Sequence, residues 1–89
     1  MTALKRIVLD VLKPHSPNAL EFATAIATLS RDYHVNVTVA EMDEKTESLV
    51  VVIEGDNIQM DEISKVITEN GGSLHSIDEV EVVGTTQMD

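Results

Sequence analysis

The stretch VNVTVAEMDEKTESLVVVIE, running from Val35 to Glu54, decides the fold. Val35, Val37 and Val39 alternate with Asn36, Thr38 and Ala40, and a polarity period of two belongs to a half-buried strand. Leu49 to Ile53 is a second run rich in β-branched residues. The charged Asp43-Glu44-Lys45-Thr46 between them has the composition of a turn, so the pair reads as a long antiparallel hairpin.

Towards the N-terminus, Leu4 to Leu12 reads as a strand with Ile7, Leu9 and Val11 on one face and Arg6, Val8, Asp10 and Leu12 on the other. Apolar residues on both faces make it a central strand. Lys13-Pro14-His15-Ser16-Pro17 is expected to end the ladder, because two prolines remove two donors. A helix follows. Asn18 with Glu21 fits a capping box, and Ser16 before Pro17 is a competing start. Phe22, Ala23, Ile26, Ala27 and Leu29 recur at three- and four-residue spacing and form its apolar stripe.

Towards the C-terminus, Gly55-Asp56-Asn57 closes the hairpin, and Asp56 with Gln59, or Asn57 alone, is expected to cap a second helix. Met60, Ile63, Val66 and Ile67 are that helix's buried stripe, and Asn70-Gly71-Gly72 supplies a left-handed C-terminal cap. A last strand starts at Ser73 or Leu74. Its pattern LHSIDEVEV does not alternate cleanly, which points to a bulge or an edge near Asp78. Residues 83–89 are expected to be a flexible tail.

The order β-α-β-β-α-β with right-handed crossovers gives an α+β, ferredoxin-like sandwich. Its four-stranded antiparallel sheet has the order 4-1-3-2, with both helices on one face, as a single domain over residues 1–89. The helix-side face takes the Ile7, Val35 and Leu49 rows. The open face keeps Val8, Val50 and Val52 beside Asp10 and Thr38, and so much exposed apolar surface marks a contact with another chain or a ligand.

Composition narrows the function. Eighty-nine residues make a domain that buries only about 60–65% of its unfolded surface, so association would help it. Sixteen acidic residues against six basic ones give a net charge of −10, which repels phosphate backbones and argues against nucleic acid. Phe22 and Tyr33 are the only aromatic residues, too few for base stacking. The chain has no cysteine, which removes disulfides and thiolate sites and fits a cytoplasmic setting. No run of about 18 apolar residues is present to span a membrane. Met1 to Lys13 alternates like a strand and has no small-residue cleavage site, so it reads as structure and not as a signal peptide.

Two constellations could carry chemistry. Counted by alternation, Glu41 and Asp43 share a face with Val35 to Val39, and Glu47 shares one with Leu49 to Ile53. All three carboxylates are then expected on one side of the hairpin tip, where a hard cation with six to eight oxygen ligands would relieve their repulsion. Glu44 and the Thr46 hydroxyl could add oxygens, although the spacing is not that of an EF-hand. The plainer reading is a solvated acidic turn. The second set is Asp10, His15, His75 and Asp78, which the 4-1-3-2 order brings to adjacent strand ends. A carboxylate beside an imidazole there could bind zinc or raise a histidine pKa. The plainer reading is a loop cap and a hydrogen-bonded strand histidine. Ser16 beside His15 and Ser76 beside His75 are not nucleophile pairs, since strand neighbours point to opposite faces. No phosphate loop, nucleophile elbow or H-E-x-x-H motif is present, and no catalytic residue is expected.

Asp10-Val11-Leu12-Lys13-Pro14-His15, Ile53-Glu54-Gly55-Asp56, and Gly71-Gly72 followed by His75-Ser76-Ile77-Asp78-Glu79-Val80 resemble a small, mostly archaeal family catalogued as a domain of unknown function, number two hundred and eleven. The resemblance covers about Leu4 to Val83 and departs at Tyr33-His34, where a Gly-Val-type start of the second strand would fit. It implies a ferredoxin-like domain that forms ring-like homo-oligomers, with no established activity and with binding of a divalent metal such as calcium. The expectation is therefore a cytoplasmic homo-oligomeric binding or regulatory module. Its subunits would join through the second-strand edge or the open face, and calcium would sit near Glu41, Asp43 and Glu47. One alternative is a small-molecule sensor with its ligand at a subunit interface. Another is a metal-dependent enzyme using Asp10 and His75.

Overall fold

The computed structural model describes residues 1–84. Six elements follow in the order β1 (Thr2–Pro14), α1 (Ala19–Ala27), β2 (His34–Met42), β3 (Thr46–Glu54), α2 (Met60–Glu69) and β4 (Ser73–Gly84). The sheet runs β2-β3-β1-β4 with every neighbour antiparallel, the expected ferredoxin-like order read from its other edge. Among the described residues no helix is long and apolar enough to cross a membrane.

One core lies between the helices and one face of the sheet. Ile7, Leu9 and Val11 of β1 and Leu49, Val51 and Ile53 of β3 supply the sheet side. Phe22 and Ile26 of α1 and Ile63 and Ile67 of α2 close it from above, and Tyr33 and Ile58 fill the ends. β2 adds only the half-buried Val35 and Val37.

Local chemistry sets most of the element ends. Asn18 caps α1 as half of a capping box: its Oδ1 accepts from the Glu21 N–H at 2.8 Å, and Glu21 Oε1 accepts from the Asn18 N–H at 3.0 Å. Gly71, with φ +79°, takes the left-handed position after α2. Neither Asp56 nor Asn57 caps α2. The cap position falls on Gln59, whose side chain does not close it, and whose N–H donates instead to the Tyr33 hydroxyl at 2.8 Å.

Strands β1 and β4 are longer than their patterns suggest. β1 runs through Lys13, opposite Glu47, to Pro14, opposite Thr46, at a strand end where a missing donor is tolerated. β4 includes Val83 and Gly84, so the expected tail is strand there, and its remainder, 85–89, lies outside the described residues. The expected bulge near Asp78 is present, with a second at His75. β4 partners step from Glu79 to Ile77 and from Ser76 to Leu74 while β1 advances one residue each time.

These lengths leave the sheet under-covered. Helices of 9 and 10 residues reach about 15 Å, whereas strands of 13 and 12 residues reach about 40 Å.

Candidate functional site

The most completely built polar cluster sits where β1 runs into α1, against the start of β3. Lys13 continues the alternation of Ile7, Leu9 and Val11, and Glu47 continues that of Leu49, Val51 and Ile53. Register pairs the two on the helix side, and their side chains are 0% and 5% exposed. Lys13 Nζ donates to Glu47 Oε2 at 2.9 Å, to the Pro14 carbonyl at 2.9 Å and to the Pro17 carbonyl. All three ammonium protons are therefore used, and the charge also lies 6.0 Å from the centroid of the Phe22 ring. The second Glu47 oxygen lies 3.2 Å from His15 Nδ1, while His15 Nε2 lies 2.7 Å from the Asp43 carbonyl.

Both His15 nitrogens thus face oxygen acceptors. Only the imidazolium can donate to both, so the pKa of His15 is raised, chiefly by Glu47 and then by the Asp43 carbonyl. The Glu47 carboxyl is lowered, first by the Lys13 hydrogen bond, with His15 adding to it and burial opposing it. The cluster ties the β1–α1 loop to the hairpin tip. It spends its donors and acceptors on itself.

This arrangement redraws the sets named from the sequence. A bulge at Ala40 moves β2 from Val39 opposite Leu49 to Glu41 opposite Ser48. Cross-strand partners project to the same side, so Glu41 goes to the open face while Glu47 stays on the helix side. Alternation alone put both on one side, and the register overturns that. Asp43 is exposed in the turn, where its N–H donates to the Thr46 carbonyl. The second set is divided too. Asp10 stands opposite Ser76 and not His75, Ser76 Oγ donates to Asp78 Oδ1 at 2.8 Å, and His15 belongs with Glu47. Among the described residues no group of three or more histidine, aspartate or glutamate side chains is placed to hold a metal ion. Lys13 adjoins Pro14 and so reads as a strand end in the sequence; its place in the alternation is the signal that marks it for the helix side.

The other prominent surface is β4. Leu74, Ile77, Val80 and Val82 stand opposite Val11, Leu9, Ile7 and Leu4, so all four project to the helix side. Their 3-3-2 spacing is what the two bulges produce, since each skips one residue and restores the apolar side. Ile7, Leu9 and Val11 are at most 1% exposed, yet Ile77, Val80 and Val82 are 50–57% exposed. The apolar row of the core therefore extends one strand beyond the cover of the helices. On the open face, Arg6 is held between Glu54 and Glu79 at 2.8 Å each, and Leu12 and Val50 remain exposed.

The DUF211 family model, described as uncharacterized ArCR, matches residues 5–89. The chain belongs to this family. An uncharacterized protein of Methanocaldococcus jannaschii is 49% identical over 80 residues, covering 90% of this chain and 82% of that protein. The matched span includes Lys13, His15 and Glu47 as well as β4 to Gly84.

Proposed function

We propose that this protein is a homo-oligomeric binding or regulatory module whose subunits join edge to edge through β4. The observation that carries the reading is the exposed row Leu74, Ile77, Val80 and Val82 beside a fully buried row on β1. An edge strand presenting both unpaired main-chain groups and a continuous apolar side is a template for another strand.

Strand direction favours a second copy as the occupant. β4 runs antiparallel to β1, and β2 runs parallel to β1, so β4 and β2 point in opposite directions. A neighbouring copy in the same orientation can therefore set its β2 antiparallel against β4 and keep all helices on one face of a continuous sheet. Val35, Val37 and Val39 of that β2 would meet the β4 row. Such a contact uses different surfaces on the two copies, and it closes into a ring when the rotation per subunit allows. The sequence suggests the β2 edge or the open face; the exposed apolar row on β4 supports β4 as the counterpart of β2.

Sedimentation of the wild type and of an Ile77→Lys/Val80→Lys variant tests this. An assembled wild type and a folded, monomeric variant are expected. A variant that assembles like the wild type would place the contact elsewhere.

A further inference from the structure

At the end of the sheet remote from the Lys13 cluster, a cleft of about 430 Å³ is lined by Lys5, Arg31, Asp32, His34, Glu54, Gly55 and Asp56. A second hollow of about 250 Å³ shares His34 and Glu54 with it and continues onto the open face over Val52. The first volume is within the range of small-molecule sites, roughly 300–1,000 Å³.

Three chain segments converge on the cleft, and each is fastened. The bulge between Leu4 and Arg6 makes Lys5 the extra residue of β1, and bulges re-aim side chains. The Lys5 carbonyl accepts from the Gly55 N–H at 3.0 Å, and the Leu4 carbonyl accepts from the Ile58 N–H at 2.8 Å, which ties the β3–α2 loop to that bulge. The α1–β2 turn is held through Tyr33, whose hydroxyl accepts from the Gln59 N–H. A Cβ on Gly55 would lie 3.0 Å from Tyr33 Cδ1 and 3.4 Å from the Asp32 carbonyl oxygen, so glycine lets the two loops meet. The cleft is preformed.

Its charges are mixed and under-used. Arg31 and His34 have no ion-pair partner among the described residues, and Lys5 reaches Asp56 only at 3.9 Å, with the Asp56 side chain 82% exposed. Three cationic or titratable basic groups thus gather in one cleft of a chain that carries a net charge of −10. A simple anion would meet Asp32, Glu54 and Asp56, and a simple cation would meet Lys5 and Arg31. A ligand bearing both charges satisfies both sets of groups.

We propose that this cleft binds a free α-amino acid. Arg31, with Lys5 and His34, takes the carboxylate, which a planar guanidinium can hold through two hydrogen bonds. Asp32, Glu54 and Asp56 take the ammonium group, Glu54 with the oxygen that Arg6 leaves free. The ligand side chain lies over Val52. All these groups come from one chain, so the proposal does not rest on the assembly described above.

The test is titration of the full chain with individual L-amino acids at millimolar concentration, read by amide NMR shifts at Gly55 and His34 and by fluorescence of Tyr33. Acetate, phosphate and methylammonium serve as single-charge probes. At least one amino acid is expected to move the Gly55 and His34 amides, with the single-charge probes inert. The exposed Arg31→Ala change should weaken that binding about tenfold or more, and Ile77→Lys/Val80→Lys should leave it unchanged. Silence with every amino acid would overturn the proposal. So would acetate or phosphate binding as tightly as an amino acid, or loss of binding in a folded Ile77→Lys/Val80→Lys variant.

Discussion

The Lys13 cluster and the β4 row invert the usual sorting of side chains in opposite ways. At one, an ammonium and a carboxylate are buried on the helix side; at the other, four aliphatic residues on that side lie open. The buried charges need nothing from outside, because every Lys13 donor has an acceptor within the chain. The open aliphatics have no such cover among the described residues, because β4 lies one strand beyond the helices that bury its β1 partners. A polar group in the interior is explained by its partners, and an apolar row outside it asks for one.

The largest expected effect falls on the buried pair. Glu47→Ala leaves the Lys13 ammonium buried without a counter-charge and should cost about 3–5 kcal/mol in denaturant unfolding. Lys13→Met with Glu47→Leu removes both charges and should recover most of that loss. A single change as mild as the double one would break the contrast, since the pair would then not be holding the loop.

A smaller effect is expected at the other end of the core. Tyr33→Phe removes the acceptor for the Gln59 N–H at an α2 start that has no side-chain cap, and should lower stability by about 1 kcal/mol. Asn18→Ala, which opens the capping box of α1, should cost about as much, roughly 1 kcal/mol by the same unfolding measurement.

The smallest effect is in pH dependence. The folded pKa of His15 is raised, so its contribution is fully present below the unfolded value of about 6.5 and is lost as pH rises through the folded one. Glu47 runs the other way. Its folded pKa is lowered, so its contribution is present above the ordinary carboxylate range and is lost as pH falls through the folded value. Thermal midpoints across neutral pH should therefore fall on the alkaline side in the wild type and flatten there in His15→Gln. NMR titration should place the His15 midpoint above the ordinary histidine value.

How much of this was legible in the sequence follows the same division. The strands, the helices, the Asn18–Glu21 box and the Gly71 cap come from local patterns that carry their own physical cause, and all appear in the structure. What alternation could not carry was parity across a bulge. One extra residue at Ala40 sends Glu41 to the open face and separates it from Glu47. Extra residues at His75 and Asp78 turn an irregular pattern into a uniform apolar row. Those shifts depend on pairing with a distant strand; the local pattern points to the one near Asp78 but not to those at His75 and Ala40. His15 and Glu47 were both named, but in different sets, because the partner that joins them, Lys13, looked like the end of a strand.

The most direct measurement is the sedimentation equilibrium mass of the wild-type chain at micromolar concentration, compared with Ile77→Lys/Val80→Lys. A multiple of the 9.7 kDa chain mass is expected for the wild type and a single chain mass for the variant. A wild type that sediments as one chain would contradict it.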